Sequence, residues 1–178
     1  MEKNLIIDSS HSEVGFKVKH LMISTVRGSF NGFGGKLTGD LNNLSVYFTI
    51  NTGTINTNNV DRDNHLKSPE FFDSEKYQTI TFVSNGYNVE DTEITGDLTI
   101  KGVTRVVTLN SQYNGTSVDP WGNKKHGFEF SGEISRDDFD LTWNATLDTG
   151  GVLVSDKVNM VIDIQTLEQV NEVVESEQ

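Results

Sequence analysis

Apolar and polar residues alternate with period two along most of this chain, and that alternation restricts the fold more than any other feature. Residues 13–20 place Val14, Phe16 and Val18 on one face and Glu13, Lys17 and Lys19 on the other. Residues 44–51 alternate through Leu44, Val46, Phe48 and Ile50, and 93–101 through Ile94, Leu98 and Ile100. The pattern continues through Phe128, Phe130 and Ile134 in 126–135, and through Val158, Met160, Ile162 and Ile164 in 157–165. Such runs are antiparallel strands with one wet face. Composition agrees: one alanine (Ala145) stands against 18 threonines and 18 valines, so the best helix former is nearly missing and strand formers abound.

Punctuation between the runs predicts the turns. Asn-Gly at 31–32, 85–86 and 114–115, and Asp-Thr-Gly-Gly at 148–151, read as hairpin signals. The glycine-rich run 26–39 predicts a sharply bent strand, as barrel corners require. Residues 57–73 break the alternation. Asn58 or Asn59 as cap, the early acids Asp61 and Asp63, and Lys67 before Pro69 predict a short helix. A second helical turn is predicted at 135–139. About eight strands with one or two short helices predict one all-β antiparallel barrel, residues 1–168, followed by an acidic tail at 169–178. Eight strands close around a space wide enough for side chains or one small ligand.

Charge and residue usage remove several function classes. The net charge of −12 excludes general nucleic-acid binding, which needs a basic stripe, and weighs against docking to an anionic membrane surface. The chain has no cysteine, so it has no disulfide framework, thiolate nucleophile or cysteine-ligated metal. No run of 18 apolar residues predicts stable membrane insertion. The N-terminal Leu5-Ile6-Ile7 is too short for a secretory signal, and the expected location is cytoplasmic.

The polar constellations are weak. His11, His20, His65 and His126 have no metal-ligand spacing and read as structural or solvated, although strands also join distant residues. Arg62, Asp63, His65 and Lys67 beside Phe71 and Phe72 read either as helix capping with a surface ion pair or as a rim whose Arg or His meets a polar ligand head. Arg136, Asp137 and Asp138 read as a turn and N-cap. There is no G-x-S-x-G elbow and no phosphate loop. The ten phenylalanines either fill a packed core or line an apolar tunnel, and periodicity does not separate the two.

Five blocks in order carry a resemblance: HSEVGFKVKHLMISTVRGSFNGFGG (11–35), RDNHLKSPEFFDSEKYQTITF (62–82), GDLTIKGVTRVVTL (96–109), ISRDDFDLTW (134–143) and SDKVNMVIDI (155–164). From about Leu5 to Leu167 the chain resembles the YceI-like family of lipocalin-like, polyisoprenoid-binding proteins. It departs from the family pattern at Met22 and Asp140, where Gly is usual, and at Gln78 and Val106, where Pro is frequent. The resemblance implies an eight-stranded lipocalin-like barrel whose apolar pore carries or stores a long isoprenoid lipid, a polyprenyl phosphate or quinone, without catalysis and without a cofactor. The expected lining is Val14, Phe16, Val18, Phe30, Phe48, Phe72, Phe82, Phe128, Phe130, Phe139 and Trp143, with His20, Arg62 and His65 near a polar head. The alternatives are an enzyme acting on an apolar substrate in the barrel, or a haem or metal carrier. The oligomeric state, a homodimer included, is left open.

Overall fold

The alternating runs pair in chain order until the last strand meets the first. The computed structural model describes residues 2–145 and 153–170. Its strands are β1 (Lys3–Ile7), β2 (Glu13–His20), β3 (Ser24–Phe30), β4 (Phe33–Asp40), β5 (Asn43–Asn51), β6 (Ile55–Asn56), β7 (Thr79–Tyr87), β8 (Glu93–Ile100), β9 (Val103–Val118), β10 (Lys124–Ser135) and β11 (Val154–Gln169). One helix, α1 (Val60–Lys67), lies between β6 and β7. Three of the strands are bent continuations of their predecessors. β1 pairs with β4 while β2 pairs with β3, and β5 pairs with β4 while β6 pairs with β3. Counting β1–β2, β3–β4 and β5–β6 as single bent strands gives eight, all antiparallel. β11 closes the ring, pairing with β2 through Val154–Asp163 and with β1 through Thr166–Gln169. The predicted closed barrel is therefore the observed one.

The Asn-Gly pairs behave differently from the expectation. Asn85-Gly86 and Asn114-Gly115 lie inside β7 and β9, with Gly86 at φ +79° and Gly115 at φ +93°. Each coincides with a one-residue slip of register, near Val46–Ser84 and at Gly127–Phe128. These are β-bulges, which need the same positive φ that a hairpin turn needs. Asn31-Gly32 is the bend between β3 and β4. Tight turns lie elsewhere, at Leu21–Ile23, Leu41-Asn42 and Lys101-Gly102. The Asp-Thr-Gly-Gly signal lies outside the described residues, as does the predicted tail from 171 on. The bent 26–39 run is found as β3 and β4. Gly28 lets the Phe16 ring cross it, because a Cβ there would meet that ring at 2.3 Å.

α1 starts where the caps predict: the Asn59 side chain accepts from Arg62 N at 2.9 Å, and the helix ends at Ser68 before Pro69. The second predicted turn is a 3-10 turn at Asp137–Phe139. Among the described residues no helix is long and apolar enough to cross a membrane.

Candidate functional site

Inward positions of the barrel fall into levels along its axis. β10 shows three of them in succession. His126 lies at the far end, Phe128 next, and Phe130 mid-barrel, since β10 and β11 pair from Lys125–Leu167 to Ser135–Lys157.

The far end is sealed by bonded polar groups. His126 is fully buried. Its Nε2 lies 2.8 Å from Glu168 Oε2 and its Nδ1 lies 2.8 Å from Tyr113 Oη. Glu168 only accepts, so in the neutral ring Nε2–H donates to it and Nδ1 accepts from the Tyr113 hydroxyl. Lys3 Nζ donates to Glu168 Oε1 at 3.0 Å. Burial pushes the Glu168 carboxyl up, but the bonds from His126 and Lys3 outweigh it and hold the group below the usual carboxylate range. Burial and the Glu168 charge raise Tyr113 above an ordinary phenol, which keeps its hydroxyl a donor. Tyr87 Oη and Ser111 Oγ form a second bonded pair beside it. Phe128, between Tyr113 and Phe130 at ring distances of 5.1 and 6.1 Å, partitions this layer from what lies beyond.

Beyond it is a cavity of about 180 Å³, reaching to the α1 end. Eight of the expected lining residues face it: Val14, Phe16, Val18, Phe30, Phe48, Phe72, Phe82 and Phe130. Phe128 and Phe139 are buried in the packed core and do not border it. Trp143 lies outside as well, packed on His65 and Phe71 with centroids 4.8 and 5.2 Å away. Leu66, Phe71, Leu141 and Met160 also line it, although the expected set omitted them. Leu66, Phe71 and Phe72 come from α1 and the segment after it, and cover the near end.

The expected head-group residues do not converge. Arg62 is turned back onto Thr57, donating from Nε to Oγ1 and from Nη2 to the carbonyl, both at 2.8 Å. His65 bonds Glu70. His20 ends β2, opposite Val154 and Ser24. Of His20, Arg62, Asp63, His65 and Arg136, which an enzyme would have to bring to the cavity wall, only Arg136 is there. Its guanidinium is already bonded. Nε donates to Ser155 O (2.9 Å), Nη1 to Leu141 O (2.9 Å) and Trp143 O (3.2 Å), and Nη2 to Val154 O (3.3 Å). Burial lowers its pKa, and Asp156 and Asp137 oppose that. The buried cation therefore clamps the 136–143 segment to the start of β11. Carrying the Phe128, Phe130, Ile134 alternation one step further would have placed residue 136 inward. Among the described residues no group of three or more His, Asp or Glu side chains is placed to hold a metal ion.

Comparison with known proteins agrees with this barrel. The model of the YceI-like domain matches residues 5–166. The chain belongs to the YceI-like family. A UPF0312 protein of Staphylococcus aureus strain MSSA476 is 40% identical to this YceI-like chain over 159 residues, covering 87% of this chain and 92% of the relative. The crystal structure of the Campylobacter jejuni YCEI protein is 34% identical, with a TM-score of 0.72 over 92% of this chain and 96% of that one. A polyisoprenoid binding domain from Saccharophagus degradans, at 14% identity, shares the fold with a TM-score of 0.71 over 93% and 98% of the two chains.

Proposed function

We propose that this YceI-like protein holds the hydrocarbon tail of an isoprenoid lipid inside its barrel, as carrier or store, and performs no chemistry on it. The observation that carries this reading is the lining: apolar side chains throughout, save an Arg136 whose donors are taken by backbone carbonyls. Such a wall offers a tail dispersion contacts and exclusion from water, and offers a polar head nothing. The polyisoprenoid binding domain with the same fold supports the ligand class.

Removing each methylene from water contributes roughly 0.8 kcal/mol. A long tail would exceed the practical ceiling near ~20 kcal/mol, so ordering costs offset much of the gain. A dry apolar cavity of ~150 Å³ holds one benzene, so this cavity of about 180 Å³ takes roughly half a dozen carbons as it stands. A longer tail extends past the covering phenylalanines, with its phosphate or quinone head outside the apolar section.

Solvent extraction of the purified protein followed by mass spectrometry tests the reading. A prenyl lipid is expected, and it should vanish from folded Phe16→Asp and Phe130→Asp variants. Absence of any extractable prenyl lipid, together with no uptake of an added one, would overturn it.

A further inference from the structure

The hairpin joining β2 to β3 breaks two ordinary rules at once. Its turn exposes three consecutive large apolar side chains: Leu21 at 37%, Met22 at 63% and Ile23 at 84%. Leu21 and Met22 also sit at φ +53° and +60°, the left-handed region that disfavours bulky side chains. A turn selected only to reverse the chain would carry Gly or Asn and a polar tip.

The flanks of this hairpin add a second observation. Residues 15–28 carry Lys17, Lys19 and Arg27 and no acid, in a chain of net charge −12. Lys17 and Arg27 face each other across the strands, a pairing of like charges that destabilises a sheet. Among the described residues none of the three forms an ion pair. Three carboxylates of the same end have other partners: Asp63 bonds Thr57, Glu70 bonds His65 and Asp156 bonds Ser135.

The hairpin is also continuous with the cavity wall. Val18 and Val154 line the cavity, His20 pairs with Val154, and Leu21 N donates to Leu153 O at 2.9 Å. An apolar tip rimmed by cations that form no ion pair among the described residues, Lys19 bonding only the Thr25 hydroxyl at 3.1 Å, matches the interface of an anionic bilayer, where side chains sink below the headgroups and cations meet the lipid phosphates.

We infer that the Leu21–Ile23 turn inserts into the surface of an anionic lipid bilayer, with Lys17, Lys19 and Arg27 on the headgroups, so that the α1 end of the barrel faces the membrane. This rests on the reading that the cavity takes a membrane lipid, and it revises the expectation drawn from net charge, because a locally basic tip is hidden in an acidic total. The opposite end supplies an internal control. Trp121 is 83% exposed in the β9–β10 turn, yet the inference gives it no membrane contact.

Flotation of the full chain with phosphatidylglycerol–phosphatidylcholine vesicles tests the inference. Wild type is expected to float with these and not with pure phosphatidylcholine, and to detach in high salt. Both the Met22→Asp/Ile23→Asp and the Lys17→Glu/Lys19→Glu variants should lose binding about tenfold, while still taking up a prenyl lipid supplied in detergent. Because the chain lacks cysteine, an environment-sensitive dye on Ile23→Cys should shift to the blue on anionic vesicles, and the same dye on Trp121→Cys should not. No flotation of wild type, flotation unchanged in both variants, or a dye shift at position 121 alone would overturn the inference. Binding to polyglutamate in place of vesicles, lost only with the lysines, would overturn it in favour of an acidic protein partner. Prenyl-lipid uptake is read without vesicles, so a failure of the cavity reading shows separately.

Discussion

At the far end of the barrel, Tyr113, His126, Glu168 and Lys3 form a chain of directed bonds on residues from β1, β9, β10 and β11. At the near end, Leu66, Phe71 and Phe72 lie over the cavity on a segment held mostly by its own local bonds, such as Arg62 and Asp63 to Thr57. The far end is held by geometry, because each of these four groups has a specific partner and loses it if displaced. The cover at the near end meets the cavity through apolar area, and one arrangement of hydrocarbon contacts exchanges for another at little cost. A container for a flexible guest needs this asymmetry: a fixed floor and a forgiving cover.

The comparison breaks hardest at the floor. His126→Ala should lower stability by about 2–4 kcal/mol, through the cavity left and the Tyr113 and Glu168 groups stranded. Chemical denaturation measures this, and a loss under ~1 kcal/mol would mean that the bonded layer is incidental. The cover should respond less in stability and more in ligand exchange. Phe72→Ala, on a half-buried ring, should cost only about 1–2 kcal/mol. It should also speed exchange of a bound prenyl lipid severalfold, as followed by transfer to acceptor vesicles; slower or unchanged exchange would show that the cover does not limit release.

The smallest expected effect concerns acid. Glu168 is held below its ordinary range as described. Asp8 is held far below it, first by the Ser10 hydroxyl and then by His11 and Lys125, against the opposing effect of burial. Carboxyls depressed in the folded state add stability that is complete above their unfolded pKa near ~4. That stability is lost as pH falls through the folded values. After solvent screening, each should contribute about 1 kcal/mol or less. Denaturation from neutral pH down to about pH 3 should show a shallower loss in Glu168→Gln than in wild type. Equal slopes would remove Glu168 from the account.

Much of this architecture is legible in the residue pattern, because alternation reports which side chains share a face. It does not report height along the barrel. Phe128 and Phe130 are equivalent by period, yet one is a packed partition and the other a cavity wall. That distinction depends on the register of eight strands at once. Asn85-Gly86 and Asn114-Gly115 read as hairpin turns and not as bulges, since both uses demand a positive φ of the glycine. Arg62 and His65 lay in the right segment for a rim. Their partners, Thr57 and Glu70, are local, and a local bond removes a side chain from service without leaving a mark in the spacing. Arg136 was hidden by its neighbours, two acids that make a buried cation look like part of a solvated turn.

The last strand carries a further consequence. β11 is the seam that joins β10 to both β1 and β2, and the Asn4–Gln169 contact spans 165 residues. β11 follows every other strand of the barrel in the chain. Until it pairs, the sheet is open, with two unpaired margins and an exposed greasy concave surface. Contacts between such distant parts of a chain form slowly, so the barrel is most prone to aggregate before β11 pairs, and it gains an inside only when that seam is sewn.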